Sequence, residues 1–169
     1  MNCRFCNSEL KHVFMDLGKT PLANSYLKKE ELEKKEKYYP LRVFVCSKCF
    51  LVQLEEFESP KEIFSEYAYF SSFSEKWLEH AQKFVESVTS RFNLDHQSKV
   101  LEIASNDGYM LQFFKDRKIP VLGVEPAVNI SKIANEREIP TITKFFGSNV
   151  AEEIAEEKEQ SKSQEDIYA

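Results

Sequence analysis

Glycine is scarce in this chain: there are four in 169 residues, against fourteen Phe. That excludes low-complexity and collagen-like chains and speaks against disorder. Positive charge is also short, with 23 Lys and Arg against 28 Asp and Glu and a net charge of −5. A general nucleic-acid binder needs a basic face to neutralise phosphates, so that class is disfavoured. No apolar run approaches the ~20 residues of a membrane span. The start, Met1-Asn-Cys-Arg-Phe-Cys6, lacks a secretory apolar core. The expected setting is therefore the cytoplasm, with reduced thiols. What the chain does have is 42% hydrophobic and 13% aromatic residues, enough for a core in one ordinary domain or two small ones.

All four cysteines fall in the first fifty residues, as Cys3-x-x-Cys6 and Cys46-x-x-Cys49. A Cys-x-x-Cys turn lets two thiolates converge on one ion while backbone amides point at the sulfurs. Two such turns supply the four soft ligands of a closed, structural Zn²⁺ site. Structural disulfides do not suit a reducing compartment, and a thioredoxin-like redox pair would need one pair set between a strand and a helix. A four-thiolate site leaves no open position for chemistry. Its expected task is to fold a segment too small to hold itself together.

Between the pairs, Leu17 to Asn24 is turn-like at Gly18 and Pro21, and Lys28 to Lys37 is an almost unbroken Lys/Glu mixture that reads as a solvated helix or loop. Leu41 to Val45 and Phe50 to Leu54 predict a hairpin carrying the second Cys pair. Pro60 opens a short helix expected over 61–67. Ser72 and Glu75 have capping-box spacing. The next helix places Trp77, Ala81, Phe84, Val88 and Phe92 on one stripe, read as core. His80 reads as a packed helix residue, and His12 and His96 as surface residues. The crowded Tyr67-Ala-Tyr-Phe-Ser-Ser-Phe-Ser74 reads either as a capped helix start or as a lip over a ligand.

The chain turns on Val100-Leu-Glu-Ile-Ala-Ser-Asn-Asp-Gly-Tyr109: a buried strand, a tight polar turn ending at Gly108, and a helix start. About seventeen residues past Gly108, a second apolar run ends in an acid, Val121-Leu-Gly-Val-Glu125, where nucleotide folds place the ribose-binding carboxylate. Further helices are expected over 128–137 and from Asn149, a third strand over 139–143, and a fourth starting within 164–169. This is a βα alternation, so the expected class is α/β. The dinucleotide fingerprint requires three glycines for close approach to a pyrophosphate. Ala104, Asn106 and Gly108 supply one, which fits a cofactor without phosphates, held by side chains. Glu102 and Asn106 are candidates for the amine of a methionine tail.

These pieces together resemble the S-adenosylmethionine-dependent sugar C-methyltransferase family with an N-terminal zinc-binding domain. The resemblance rests on both Cys pairs, Pro21-Leu-Ala-Asn-Ser-Tyr26, Val52-Gln-Leu54, Tyr67-x-Tyr-Phe-Ser-Ser72, Trp77, His80-Ala81, Glu102-Ile-Ala-Ser-Asn-Asp-Gly108, Gly123-x-Glu-Pro-Ala127, Ile139-Pro-Thr141 and Phe145-Phe-Gly147. It implies methyl transfer to a ketosugar carbon on a nucleotide-linked deoxysugar. The implied metal ligands are Cys3, Cys6, Cys46 and Cys49. The cofactor residues are Glu102, Ala104, Ser105, Asn106, Gly108, Glu125 and Pro126, and the catalytic candidates are Tyr67 and Tyr69.

Family members are more than twice this length, and the resemblance places the catalytic His in an Asn-Asn-x-x-x-His segment beyond Asp166-Ile-Tyr-Ala169. The expected organisation is a zinc-binding hairpin domain over 1–58, a helical connector and lip over 59–97, and a partial Rossmann-like sheet over 98–169, cut near its fourth strand. The chain alone is expected to be inactive. The alternative is a zinc-containing docking module whose sheet is completed by a separate chain. No nucleic-acid or membrane partner is expected.

Overall fold

A computed structural model describes residues 1–160 and 166–168, and two compact units divide between Ile63 and Phe64. No helix among the described residues is long and apolar enough to cross a membrane.

The first unit is an antiparallel sheet in the order β1-β2-β3, formed by His12–Thr20, Tyr39–Val45 and Val52–Leu54. β2 and β3 are the expected hairpin. β1 is a strand where the sequence suggested only a turn, because Gly18 sits inside it at φ 78° and its register slips between Asp16 and Lys19. Nearly all of β1 is exposed, Phe14 and Leu17 included, so it carries no inward–outward alternation to read. The Lys/Glu stretch holds a single 3₁₀ turn, Lys29–Glu31. The buried core of this unit is Cys3, Leu10 and Cys46, backed by Cys6, Phe44, Cys49 and Leu51. Three buried residues are too few to stabilise some sixty by apolar burial alone, at roughly 1.5–3 kcal/mol each. The cysteines are the core.

The second unit is built on a parallel sheet in the order β6-β5-β4-β7: Thr141–Ile142, Val121–Val124, Ser98–Ile103 and Asp166–Tyr168. In chain order that is 3-2-1-4, a strand order found in doubly wound sheets. The expected fourth strand is present as β7; residues 161–165 and 169 lie outside the described set. The connecting helices are α3 (Leu111–Lys115), α4 (Val128–Glu136) and α5 (Ser148–Gln160). Alternate strand residues feed two clusters: Val100 joins Leu111, Phe114, Ile119, Ala134 and Ile139, while Leu101, Leu122 and Val124 pack with Val150 and Ile154.

Ahead of the sheet, α1 (Pro60–Phe64) stops three residues short of the expected helix, and α2 spans Glu75–Phe92. The N-cap of α2 is Ser74, whose Oγ accepts from Trp77 N at 3.3 Å, not Ser72. Its C-cap Asn93 takes the left-handed conformation that asparagine tolerates. The buried face runs through Ala81 and Val85 with Val88 alongside, while Trp77, Phe84 and Phe92 are exposed. The expected stripe was therefore rotated: spacing fixes a helix, but an aromatic-rich helix has more apolar faces than one core can cover.

Gly123 shows how tightly the strands and the following turn fit. A Cβ there would lie 2.4 Å from Ser105 Oγ and 2.9 Å from Thr141 Oγ1. Gly123→Ala is expected to destabilise the second unit by ~1–3 kcal/mol. In a Ser105→Ala background, where the nearest obstacle is gone, the penalty should shrink. Urea unfolding of the four chains of this double-mutant cycle measures it; equal penalties in both backgrounds would show that Ser105 is not what excludes the side chain.

Candidate functional site

Each Cys pair closes the same knuckle. Cys3 N donates to Ser8 O and Asn7 N to Cys3 O; likewise Cys46 N donates to Leu51 O and Phe50 N to Cys46 O. Asn7 (φ 57°) and Phe50 (φ 62°) hold equivalent left-handed positions. The four sulfurs lie within 4.8 Å of one another, with Cys3 and Cys49 3.6 Å apart and Cys6 and Cys46 3.5 Å apart. A tetrahedral ion with ~2.3 Å bonds to sulfur sets its ligands ~3.8 Å apart, so the set fits Zn²⁺ closely. It does not fit disulfides, whose sulfurs sit ~2.05 Å apart. The Cys6 backbone amide, with the Gln53 side chain and Phe5 N–H, pulls the Cys3 thiol down to about 6 against its burial. The Ser8 hydroxyl and amide lower Cys6. The Leu51 amide pulls on Cys49 too, but burial and the other three thiols push it up to about 12. The four cannot all ionise together without a cation among them.

In the second unit, the turn after β4 alternates hand. Ala104 (φ 59°), Asn106 (φ 50°) and Gly108 (φ 77°) are left-handed. Only Gly108 carries no side-chain penalty there, and a Cβ on it would meet Ile139 Cδ1 at 2.5 Å. Glu125, buried at the end of β5, holds this turn: its Oε2 accepts from Asn106 N at 3.0 Å and its Oε1 from Ala127 N at 2.9 Å. Pro126, half-buried, follows it. Glu125 is thus a structural brace in this structure, with one further lone pair left on each oxygen.

Three more acceptors converge here. Glu102 points from the buried face of β4, and its Oε2 has no hydrogen-bond partner. Ser105 Oγ and Asp107 Oδ1, both fully buried, also lack one. The second Asp107 oxygen is occupied, accepting from Ser72 Oγ and from Arg137 Nη1 at 3.2 Å. Burial above all, then the charges of Asp107 and Glu125, push Glu102 up to about 8. A buried acid without a partner, kept protonated chiefly by its burial, would ionise more readily with a cation beside it.

Asn106, read from sequence as a ligand for an amine, turns its side chain elsewhere. Its Oδ1 accepts from Ser71 N at 2.8 Å and its Nδ2 donates to Tyr69 O at 3.1 Å. Asn129 grips Tyr67 in the same two-ended way, at 3.1 and 2.7 Å. With Ser72 on Asp107, these clamps lay residues 69–72 along the turn and tie Tyr67 to α4. Tyr69 is half-exposed there, and the Tyr67 ring packs near Phe64, centroids 5.6 Å apart. His80 is exposed and stacks on Trp77, which in turn stacks on Tyr109. Burial, then the charge of Glu102, raise the Tyr109 phenol. Sequence reading missed Tyr109, Asn129 and Arg137 as neighbours of the site. Tyr109 follows the glycine directly and was the findable one; nothing local marks Asn129 or Arg137.

Metal binding must expel thiol protons, so affinity for Zn²⁺ is expected to fall as pH drops from 8 to 5.5, with one ion held per chain. Chelation is expected to abolish the antiparallel sheet of residues 1–63 while the parallel sheet of the second unit persists. Metal analysis with circular dichroism and amide exchange checks this; an unchanged first unit after complete chelation would refute it.

Residues 3–64 match a family described as a putative zinc binding domain. Over 153 residues the chain is 35% identical to the C-methyltransferase NovU of Streptomyces niveus, an alignment covering 90% of this chain and 36% of that protein. The chain therefore spans about a third of that relative's length. Among solved structures it is similar to a SAM-dependent methyltransferase from Archaeoglobus fulgidus (20% identity, 37% of this chain, 29% of that one, TM-score 0.28). YjhP from E. coli (18%, 46% and 33%, 0.33) and the plantazolicin methyltransferase BpumL in complex with SAH (19%, 46% and 39%, 0.27) are similar to it as well. With four clustered thiols inside the segment that matches a putative zinc binding domain, and an alignment along nine-tenths of its length, the chain is similar to about a third of a C-methyltransferase.

Proposed function

We propose that this chain is the cofactor-binding front of a C-methyltransferase acting on a nucleotide-linked deoxy-ketosugar. The observation that carries the reading is the buried, unpartnered Glu102 carboxyl beside a left-handed turn at the carboxyl ends of parallel strands. S-Adenosylmethionine, when bound there, supplies a methyl group on a sulfonium. Glu102 would hold the cationic amine of its methionine end, and Ser105 with the free Asp107 oxygen would accept hydrogen bonds from the same tail. Glu125 would offer its remaining lone pairs to the ribose hydroxyls while still bracing the turn, and Pro126 would border them. Gly108 and Ala104 keep the turn backbone close. In transfer to a ketosugar, a proton leaves the carbon beside the carbonyl and that carbon takes the methyl group. Tyr67 and Tyr69 are candidates to hydrogen-bond the sugar oxygen or relay the proton. Tyr109, next to Glu102, joins them as a candidate from the structure.

The sign of the pH effect follows from Glu102. Its folded pKa lies above the usual carboxylate range, so at pH 6 it is protonated in the free protein. A bound cation favours the ionised form, so binding expels a proton and tightens as pH rises. Affinity for S-adenosylmethionine is expected to rise several-fold between pH 6 and 7.5, and Glu102→Gln should bind more weakly with no such slope. Calorimetry in two buffers of different ionisation enthalpy measures the released proton; a flat profile for the native chain would sink the assignment.

Residues 1–169 contain no segment matching the expected catalytic histidine. Purified chain supplied with S-adenosylmethionine and a nucleotide-linked 3-ketosugar is therefore expected to give no multiple turnovers. Product accumulating beyond one equivalent would overturn this.

A further inference from the structure

Gln53 is a polar residue where the pattern calls for an apolar one. It lies in Leu51-Val52-Gln53-Leu54, and it is the one inward-facing residue of β3, 7% exposed between two exposed neighbours. A buried amide costs several kcal/mol unless both ends find partners. Both do, on the far knuckle, fifty residues away in sequence. Gln53 Oε1 accepts from Arg4 N at 3.0 Å, and Gln53 Nε2 donates to Cys3 Sγ at 3.2 Å. The first bond fixes the amide's orientation, because a backbone N–H can meet only the oxygen. The group facing sulfur is therefore an N–H donor. The Arg4 guanidinium adds a 2.7 Å bond to Leu54 O, so β3 and the first knuckle are joined both at Gln53 and at the residue after it. Among the described residues, the other nitrogen donors to the cysteine sulfurs are backbone amides within each knuckle. Gln53 is the side-chain amide that crosses from one knuckle to the other.

We propose that Gln53 is a positioning residue of the metal centre, whose amide N–H holds the Cys3 thiolate in place and drains part of its charge. Four thiolates around a divalent ion carry two excess negative charges, which donors to sulfur must balance. Losing this one leaves Cys3 richer in charge and its knuckle free to swing, so Cys3 becomes the ligand that leaves first. The inference rests on the zinc reading of the four thiols, and the test separates the two.

The chain is loaded with ¹¹³Cd²⁺ and examined by NMR. The expected result is a four-thiolate cadmium signal with scalar coupling from a Gln53 Nε2 proton to the metal through the Cys3 sulfur. A four-thiolate signal without that coupling overturns the proposal alone; no four-thiolate signal overturns both it and the metal reading. As a second measurement, Gln53→Leu keeps the volume and removes the donor. Zinc transfer from this variant to a chelator is expected to be about ten- to a hundred-fold faster, with the cobalt-substituted charge-transfer band moved to lower energy. A variant that matches the native chain in both would also overturn it, since a residue that merely fills space predicts that outcome.

Discussion

The second unit depends on one carboxylate. Glu125 stands at the end of β5 and accepts two backbone N–H groups, one from the turn after β4 and one from the entry to α4. It thereby joins the two loops that rise from adjacent parallel strands, the place where ligands of open α/β sheets bind. Without it, Asn106 N would be a buried donor without a partner. The acids nearby then divide by circumstance. Glu125 is committed to backbone, Asp107 is half-committed to Ser72 and Arg137, and Glu102 is left neutral and open. Three carboxyl groups in one small region thus have three different characters, set by their partners.

In the first unit the governing constraint is different. Its apolar core is little more than the metal ligands themselves, so cohesion is electrostatic and covalent in kind. That explains why its β1 can expose Phe14 and Leu17 and still keep its place: antiparallel pairing with β2 and the two knuckles hold it. It also explains why a glutamine, and not a leucine, occupies the inward position of β3.

Much of this was legible in the sequence. The Cys spacing gave the metal set, and the strand–turn–glycine pattern with its downstream acid gave β4, the turn and β5, because these features are local and repeat at fixed intervals. What was not legible depended on partners remote in sequence. Asn106 looked like a ligand-binding residue, since an asparagine in a polar turn offers the same groups whether a ligand or a backbone segment 35 residues away takes them up. Ser72 had capping spacing, but Asp107 claimed its hydroxyl and Ser74 capped the helix. The buried face of α2 was misjudged by one step because its aromatic residues outnumber the places available in the core. β1 was hidden by its exposure on both faces and by the bulge at Gly18.

The left-handed turn has one more consequence. Two of its three left-handed positions carry side chains, and each such residue costs about 1 kcal/mol relative to a relaxed backbone. An all-glycine turn would avoid that strain but would sample many shapes when empty. Here the side chains are what prevents the sampling: Asn106 is tied at both ends of its amide and Ser105 is wedged over Gly123. The loss of backbone freedom therefore falls entirely within folding, and a molecule arriving at the turn meets a surface whose entropy has already been removed, so its affinity is not reduced by having to order the loop.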